Sequence, residues 1–356
     1  MSTITTAYST ALTLKMTSGA SSAASKTGAA GTAKDGAGTA ATAGSGSSVI
    51  VTLSMQAQKT MISAQTGSAQ ATSQVQATGA KPSGAGAAFQ RYFPTRDGTP
   101  ATALADAVVN PGQESSSAGK TLEQVGTDAR ERMDAVYKAM EESGQPFDIN
   151  STEGRDWNSL MGNLDRRSLY AVSSNTGGQF TAQEQDIART LMGQQQGLAT
   201  GLYAGPTSQM GSYTDPYNGD ASAKFKAATA FLDKVSGDEK SSVAWAGSRA
   251  AAQTSYQWSM IGKDQPAEDL SSDNPLVKLI VSAMDTVRTG GPGRGMSGNP
   301  ILSAADLKKE RWFKGFESQL DGAMKQAKEM YRATSAATTA TAATAAPTAA
   351  TAKAAG

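Results

Sequence analysis

Between Leu164 and Met192 the chain spells out a helix, a Gly-Gly turn and a second helix, and this commits the surrounding region to helical structure. The run from Leu164 to Val172 sets Leu169, Tyr170 and Val172 on an inward face at helical spacing. Gly177-Gly178 supplies residues free to take a left-handed turn. Thr181 and Glu184 then stand at capping-box spacing, in which a hydroxyl and a carboxylate each take a backbone N–H at a helix start. The second helix runs from Ala182 to about Leu198 with Ile187, Leu191 and Met192 inward.

The same periodicity continues on both sides. Leu122, Val125, Ala129, Met133, Val136 and Met140 form one stripe, opened by a Thr121/Gln124 capping box and stopped by Gly144 and Pro146. A short helix is expected over Thr152–Met161 with Trp157, Leu160 and Met161 inward. Residues 199–219, rich in Gly, Pro and Tyr, read as a long loop. Beyond it, helices are expected after Asp220 (Phe225, Phe231, Leu232), from about Asp238 to Ile261 (Trp245, Tyr256, Met260), and after Asn274-Pro275 (Leu276 to Val287). A Gly-rich connector, Gly290 to Pro300, precedes one long helix from Ser303 to about Arg332 with Phe313, Phe316, Leu320, Met324, Ala327 and Tyr331 inward. No strand-like alternation interrupts 120–333. The expected fold is therefore all-α, an irregular multi-helix bundle.

The ends differ in kind. Residues 1–118 are a Ser/Thr/Ala/Gly-rich arm with too few apolar anchors to offset the entropy of ordering, and are expected to be disordered apart from a short apolar segment at 48–63. The Ala/Thr-rich tail 334–356 is expected to be disordered as well. Between them lie a helical unit at 119–198, the loop at 199–219, and a second helical unit at 220–333.

Two absences narrow the chemistry. The chain has no Cys, which removes disulfides, thiol nucleophiles and thiolate metal sites. It has no His, which removes the usual general base near neutral pH and imidazole ligands. With 32 basic and 31 acidic residues, no global charge points to nucleic acid. The apolar runs are too short for membrane insertion, and the N-terminus lacks the basic start and apolar core of a secretory signal. A cytoplasmic location, or export by a route other than the general secretory one, is expected.

Val49, Ile50, Val51 and Leu53 favour an extended segment, and Ser54 is placed to cap a short helix through Ala57. Within it, Val51, Leu53, Ser54 and Ala57 make a Val-x-Leu-Ser-x-x-Ala pattern that resembles a segment of bacterial flagellar and type III-exported proteins, set in a similar Ser/Thr-rich arm. The resemblance implies handling by, or association with, a flagellar-type export apparatus. It makes Val49, Ile50, Val51, Leu53, Ser54 and Ala57 the expected contact segment for a protein partner.

Ser173–Glu184 resembles the calcium loop of an EF-hand: Ser173 is first, Asn175 third, Gly177 fifth, Gly178 sixth, Gln179 seventh, Thr181 ninth and Glu184 twelfth. It departs from that pattern with Ser at the first position and no side-chain oxygen at the fifth, leaving one carboxylate, so calcium is at most a weak ligand. The capping reading explains the same residues without metal. Carboxylate pairs such as Glu141/Glu142 or Asp165/Glu184 raise a glycan hydrolase as a further alternative. Lys308, Lys309, Arg311, Trp312 and Lys314 read as a solvated helix face. Gly293 to Gly298 matches Gly-x-Gly-x-x-Gly but follows a helix, so it reads as a linker. The expectation is a non-enzymatic interaction or structural protein that needs no cofactor. A calcium-responsive helical module and a carboxylate hydrolase stand behind it.

Overall fold

The computed structural model describes residues 84–289 and 300–344, and among these all regular structure is helical. The α-helices are α1 (Thr102–Val109), α2 (Leu122–Glu142), α3 (Arg155–Met161), α4 (Arg166–Ser173), α5 (Ala182–Ala199), α6 (Ala221–Lys234), α7 (Gly237–Lys240), α8 (Val243–Ser259), α9 (Pro275–Thr289), α10 (Ala304–Lys309) and α11 (Glu317–Thr344). Short 3-10 turns link several of them, including Ala87–Tyr92 and Thr207–Ser212. The expected all-α class is therefore the observed one. No described helix is long and apolar enough to cross a membrane.

Two apolar clusters organise the helices. The first gathers Leu104, Met133, Leu160, Leu169 and Leu191 from α1–α5 with Phe93 from the segment before them, and the second Phe231, Trp245, Ile280 and Leu320 from α6–α11 with Trp312 and Phe313 from the turn between α10 and α11. Ala199 packs against both. Each fully buried large side chain contributes about 1.5–3 kcal/mol by leaving water, so either cluster outweighs any single polar contact described below.

Five expectations need correction. The arm assigned to 1–118 does not extend that far, because the chain from Phe89 onward packs into the first cluster. Tyr92, Phe93, Leu104 and Val108 are buried, and the buried Gln194 donates to the Tyr92 carbonyl at 2.6 Å. The apolar residues of this strap are scattered among prolines and glycines, so the local pattern hides what tertiary packing recovers. The helix expected over 238–261 is two: the Ser242 hydroxyl accepts the Trp245 N–H at 3.1 Å and caps α8 afresh.

The long helix expected from Ser303 is broken as well. Glu310 leaves helical geometry (φ −67°, ψ 127°) and Gly315 takes φ +95°, a conformation open to glycine. The break turns Trp312 and Phe313 into the second cluster, so Trp312, expected on a solvated basic face, is 1% exposed. In exchange α11 runs on to Thr344, into the stretch assigned to the tail, through a run of Ala and Thr in which the alanines favour helix. The segment at 48–63 and all its candidate contact residues lie outside the described residues, as do the rest of 1–83, 290–299 and 345–356.

Candidate functional site

The helix-turn-helix of α4 and α5 forms as its sequence predicts. Asp165 caps α4 by accepting the Ser168 N–H at 2.9 Å. The turn then needs three departures into left-handed space within four residues, at Asn175 (φ 53°), Gly177 (φ 74°) and Gly178 (φ 69°), and these are residue types that tolerate it. Gly126 of α2 lies beneath it, where a Cβ would stand 3.2 Å from the Thr176 carbonyl oxygen, so a glycine there lets the turn settle onto the helix.

Ser173, Asn175, Thr181 and Glu184 of the EF-hand-like loop are all engaged within the fold. Asn175 Oδ1 accepts the Phe180 N–H at 2.9 Å, and the Ser173 hydroxyl donates to the Tyr170 carbonyl at 3.0 Å. Thr181 Oγ1 accepts the Glu184 N–H at 3.2 Å and donates to Glu184 Oε2 at 3.0 Å, and the Thr181 N–H donates to the same oxygen at 2.8 Å. The other oxygen, Oε1, accepts from Arg130 Nη1 at 2.8 Å and from the Tyr137 hydroxyl at 3.1 Å. Gln179 is exposed.

Glu184 is 4% exposed, so its charge needs a partner, and the guanidinium supplies one. Burial works to raise the Glu184 carboxyl, but the bond from Arg130 and the donors of Thr181 outweigh it and hold the group below the ordinary carboxylate range. The Tyr137 phenol is pushed up, first by burial and then by the neighbouring carboxylate. Arg130 also pairs with Asp134 at 2.7 Å and sits 5.7 Å from the ring centres of both Tyr137 and Phe180. A calcium ion gripping both oxygens of Glu184 would have to displace Arg130, Tyr137 and the Thr181 cap together.

Asp165 is satisfied in a different way. Its Oδ2 accepts the Ser116 N–H at 2.8 Å, the Ser117 N–H at 2.9 Å and the Ser117 hydroxyl at 2.9 Å. Burial pulls this carboxyl upward, and the N–H groups of Ser168 and Ser116 with the hydroxyl of Ser117 overcome it, leaving the group lowered. Asp165 and Glu184 each face their own ring of donors, and Glu141 and Glu142 are exposed at the end of α2. A cavity of about 320 Å³ between α8 and α9 is lined by Gln253, Lys278 and several serines, with no carboxylate.

Sequence reasoning missed Arg130, Tyr137, Ser116 and Ser117, because partners roughly fifty residues away leave no local mark. One signal was available. Arg166 and Arg167 occupy the first turn of α4, where the helix dipole disfavours cations, and such a placement points to distant acids. Compared with known proteins, the chain matches no family model, no curated protein and no solved structure.

Proposed function

We propose that the protein is a non-enzymatic bacterial interaction protein, exported by or associated with a flagellar-type apparatus, in which Val49–Ala57 contacts a protein partner and the helical body is its scaffold. The observation that carries this reading is the Val51, Leu53, Ser54, Ala57 pattern within a Ser/Thr-rich stretch. Its support is the use made of the buried charges. Glu184, Asp165, Arg166 and Arg167 are each engaged by several internal partners, whereas a catalytic acid or base needs a face turned toward a substrate. The absence of His and Cys points the same way.

Deleting residues 1–58 tests it. The truncated chain is expected to keep its helical circular dichroism and to lose export, or co-purification with its partner, from a bacterial host carrying the apparatus. Export and partner capture at the level of the full chain would remove the proposal.

A further inference from the structure

Apart from Ala199, which packs against both clusters, the two helical units meet mainly across polar groups. Arg166 of α4 donates Nε to Glu239 Oε2 at 3.0 Å and Nη2 to Glu239 Oε1 at 2.7 Å, a two-pronged pair with side chains 3% and 6% exposed. Its guanidinium lies 4.9 Å from the centre of the Phe231 ring. Arg167 donates Nε to Asp238 Oδ2 at 2.8 Å. Both acids sit on α7, a single turn capped by the Ser236 hydroxyl and followed by the fresh cap at Ser242. Gly112 also crosses the seam, where a Cβ would come within 2.3 Å of the Lys234 carbonyl oxygen.

The two sides of this clamp are unequal. Arg166 is also bound within its own unit, to the Met192 carbonyl at 2.9 Å and Gln195 Oε1 at 3.2 Å. Arg167 is likewise bound to the carbonyls of Ser117 at 3.0 Å and Lys120 at 2.9 Å. If α7 withdrew, both arginines would keep partners and position, and the two acids would pass into water, where their charge is well solvated. From this asymmetry we infer that the Arg166–Arg167 pair and the Asp238–Glu239 turn form a latch. The first unit is a preformed receptor for two adjacent acids, and releasing them opens the molecule between α4 and α7, with the end of α5 at Ala199 as the remaining apolar contact between the two clusters.

The chain has no Cys, so introduced cysteines label cleanly. Lys138→Cys on the first unit and Lys325→Cys on the second replace side chains 75% and 79% exposed. With dyes at both, Asp238→Asn/Glu239→Gln is expected to add a second, longer inter-dye distance, its population raised about a hundredfold or more over the parent. Helical circular dichroism should be retained and denaturant unfolding should split into two transitions. One unchanged distance with a single transition overturns the latch, and so does loss of helix, because the seam would then belong to one cooperative core. Asp238→Asn alone gives up only the Arg167 bond and is expected to show the same longer distance at a smaller fraction. Its absence there, with the double variant unfolded, also counts against the latch.

Discussion

Two helices of the first unit start with the same device and use it differently. At the head of α2, Thr121 Oγ1 accepts the Gln124 N–H at 3.3 Å and Gln124 Oε1 accepts the Thr121 N–H at 2.8 Å, both residues being exposed. At the head of α5 the corresponding bonds are 3.2 Å and 2.8 Å, but the responding residue is a buried glutamate. Gln124 completes a local cap as a neutral amide. Glu184 uses one oxygen for the cap and offers the other, with its charge, to Arg130 on α2. The same short pattern is thus a helix start in one place and a tie between two helices in the other, and burial with charge makes the difference.

Removing the tie is the strongest way to sharpen that contrast. Glu184→Ala leaves Arg130 without its buried partner, frees the Tyr137 hydroxyl and removes the carboxylate half of the capping box, and is expected to cost about 3 kcal/mol in urea unfolding. Gln124→Ala, losing one exposed bond, should cost under about 1 kcal/mol. Equal losses at the two sites would break the comparison.

Acid comes next in size. Glu184 and Asp165 are both lowered in the folded chain, so their contribution is complete above their unfolded values, about 4.3 and 3.9, and is lost as pH falls through the folded ones. Stability should therefore decline below about pH 4.5, and Glu184→Gln should flatten that limb by removing one of the buried groups that contribute to it, beside more exposed lowered carboxylates such as Asp128 and Asp215. Glu114 acts in the opposite sense, since burial raises its carboxyl and the folded chain holds that proton more tightly. An acid limb in Glu184→Gln as steep as the parent's would show that the tie does not depend on the carboxylate charge.

The caps themselves give the smaller mutational effect. Thr181→Ala is expected to cost about 1–2 kcal/mol, because Glu184 loses a hydroxyl donor along with the helix start, and Thr121→Ala about 0.5–1 kcal/mol, both read as shifts of the unfolding midpoint. Both boxes were legible in the sequence because each lies within four residues. So was the Asn175-Thr-Gly-Gly turn, because its left-handed residues are of the types that accept that geometry. The strap through Tyr92, Phe93 and Leu104 was not, since its apolar residues have no period and gain their burial from α5, about a hundred residues on. The inward turn of Trp312 was hidden for a related reason. Its neighbours keep helical spacing, and only the break between Glu310 and Gly315 redirects it. Arg130 lies on the edge of a well-read helix, yet no spacing on α2 says that it faces Glu184.

The smallest expected effect is none at all. A calcium ion would need Glu184 with both oxygens, together with oxygens from Ser173, Asn175 and Thr181. In the folded chain Asn175 Oδ1 holds the Phe180 N–H, Thr181 is engaged on both sides of its hydroxyl, and the Glu184 charge is met by a guanidinium at 2.8 Å. Binding would have to break this arrangement with one carboxylate as its attraction, where calcium sites gain affinity from several. Calorimetric titration to about millimolar calcium is accordingly expected to be flat for the parent. Arg130→Ala sharpens the result, because it frees the carboxylate while leaving the Thr181 cap in place. Heat in the parent that vanishes in Glu184→Ala would make the ion the natural occupant and Arg130 its substitute. Heat confined to Arg130→Ala would show that the guanidinium holds the position an ion would otherwise take.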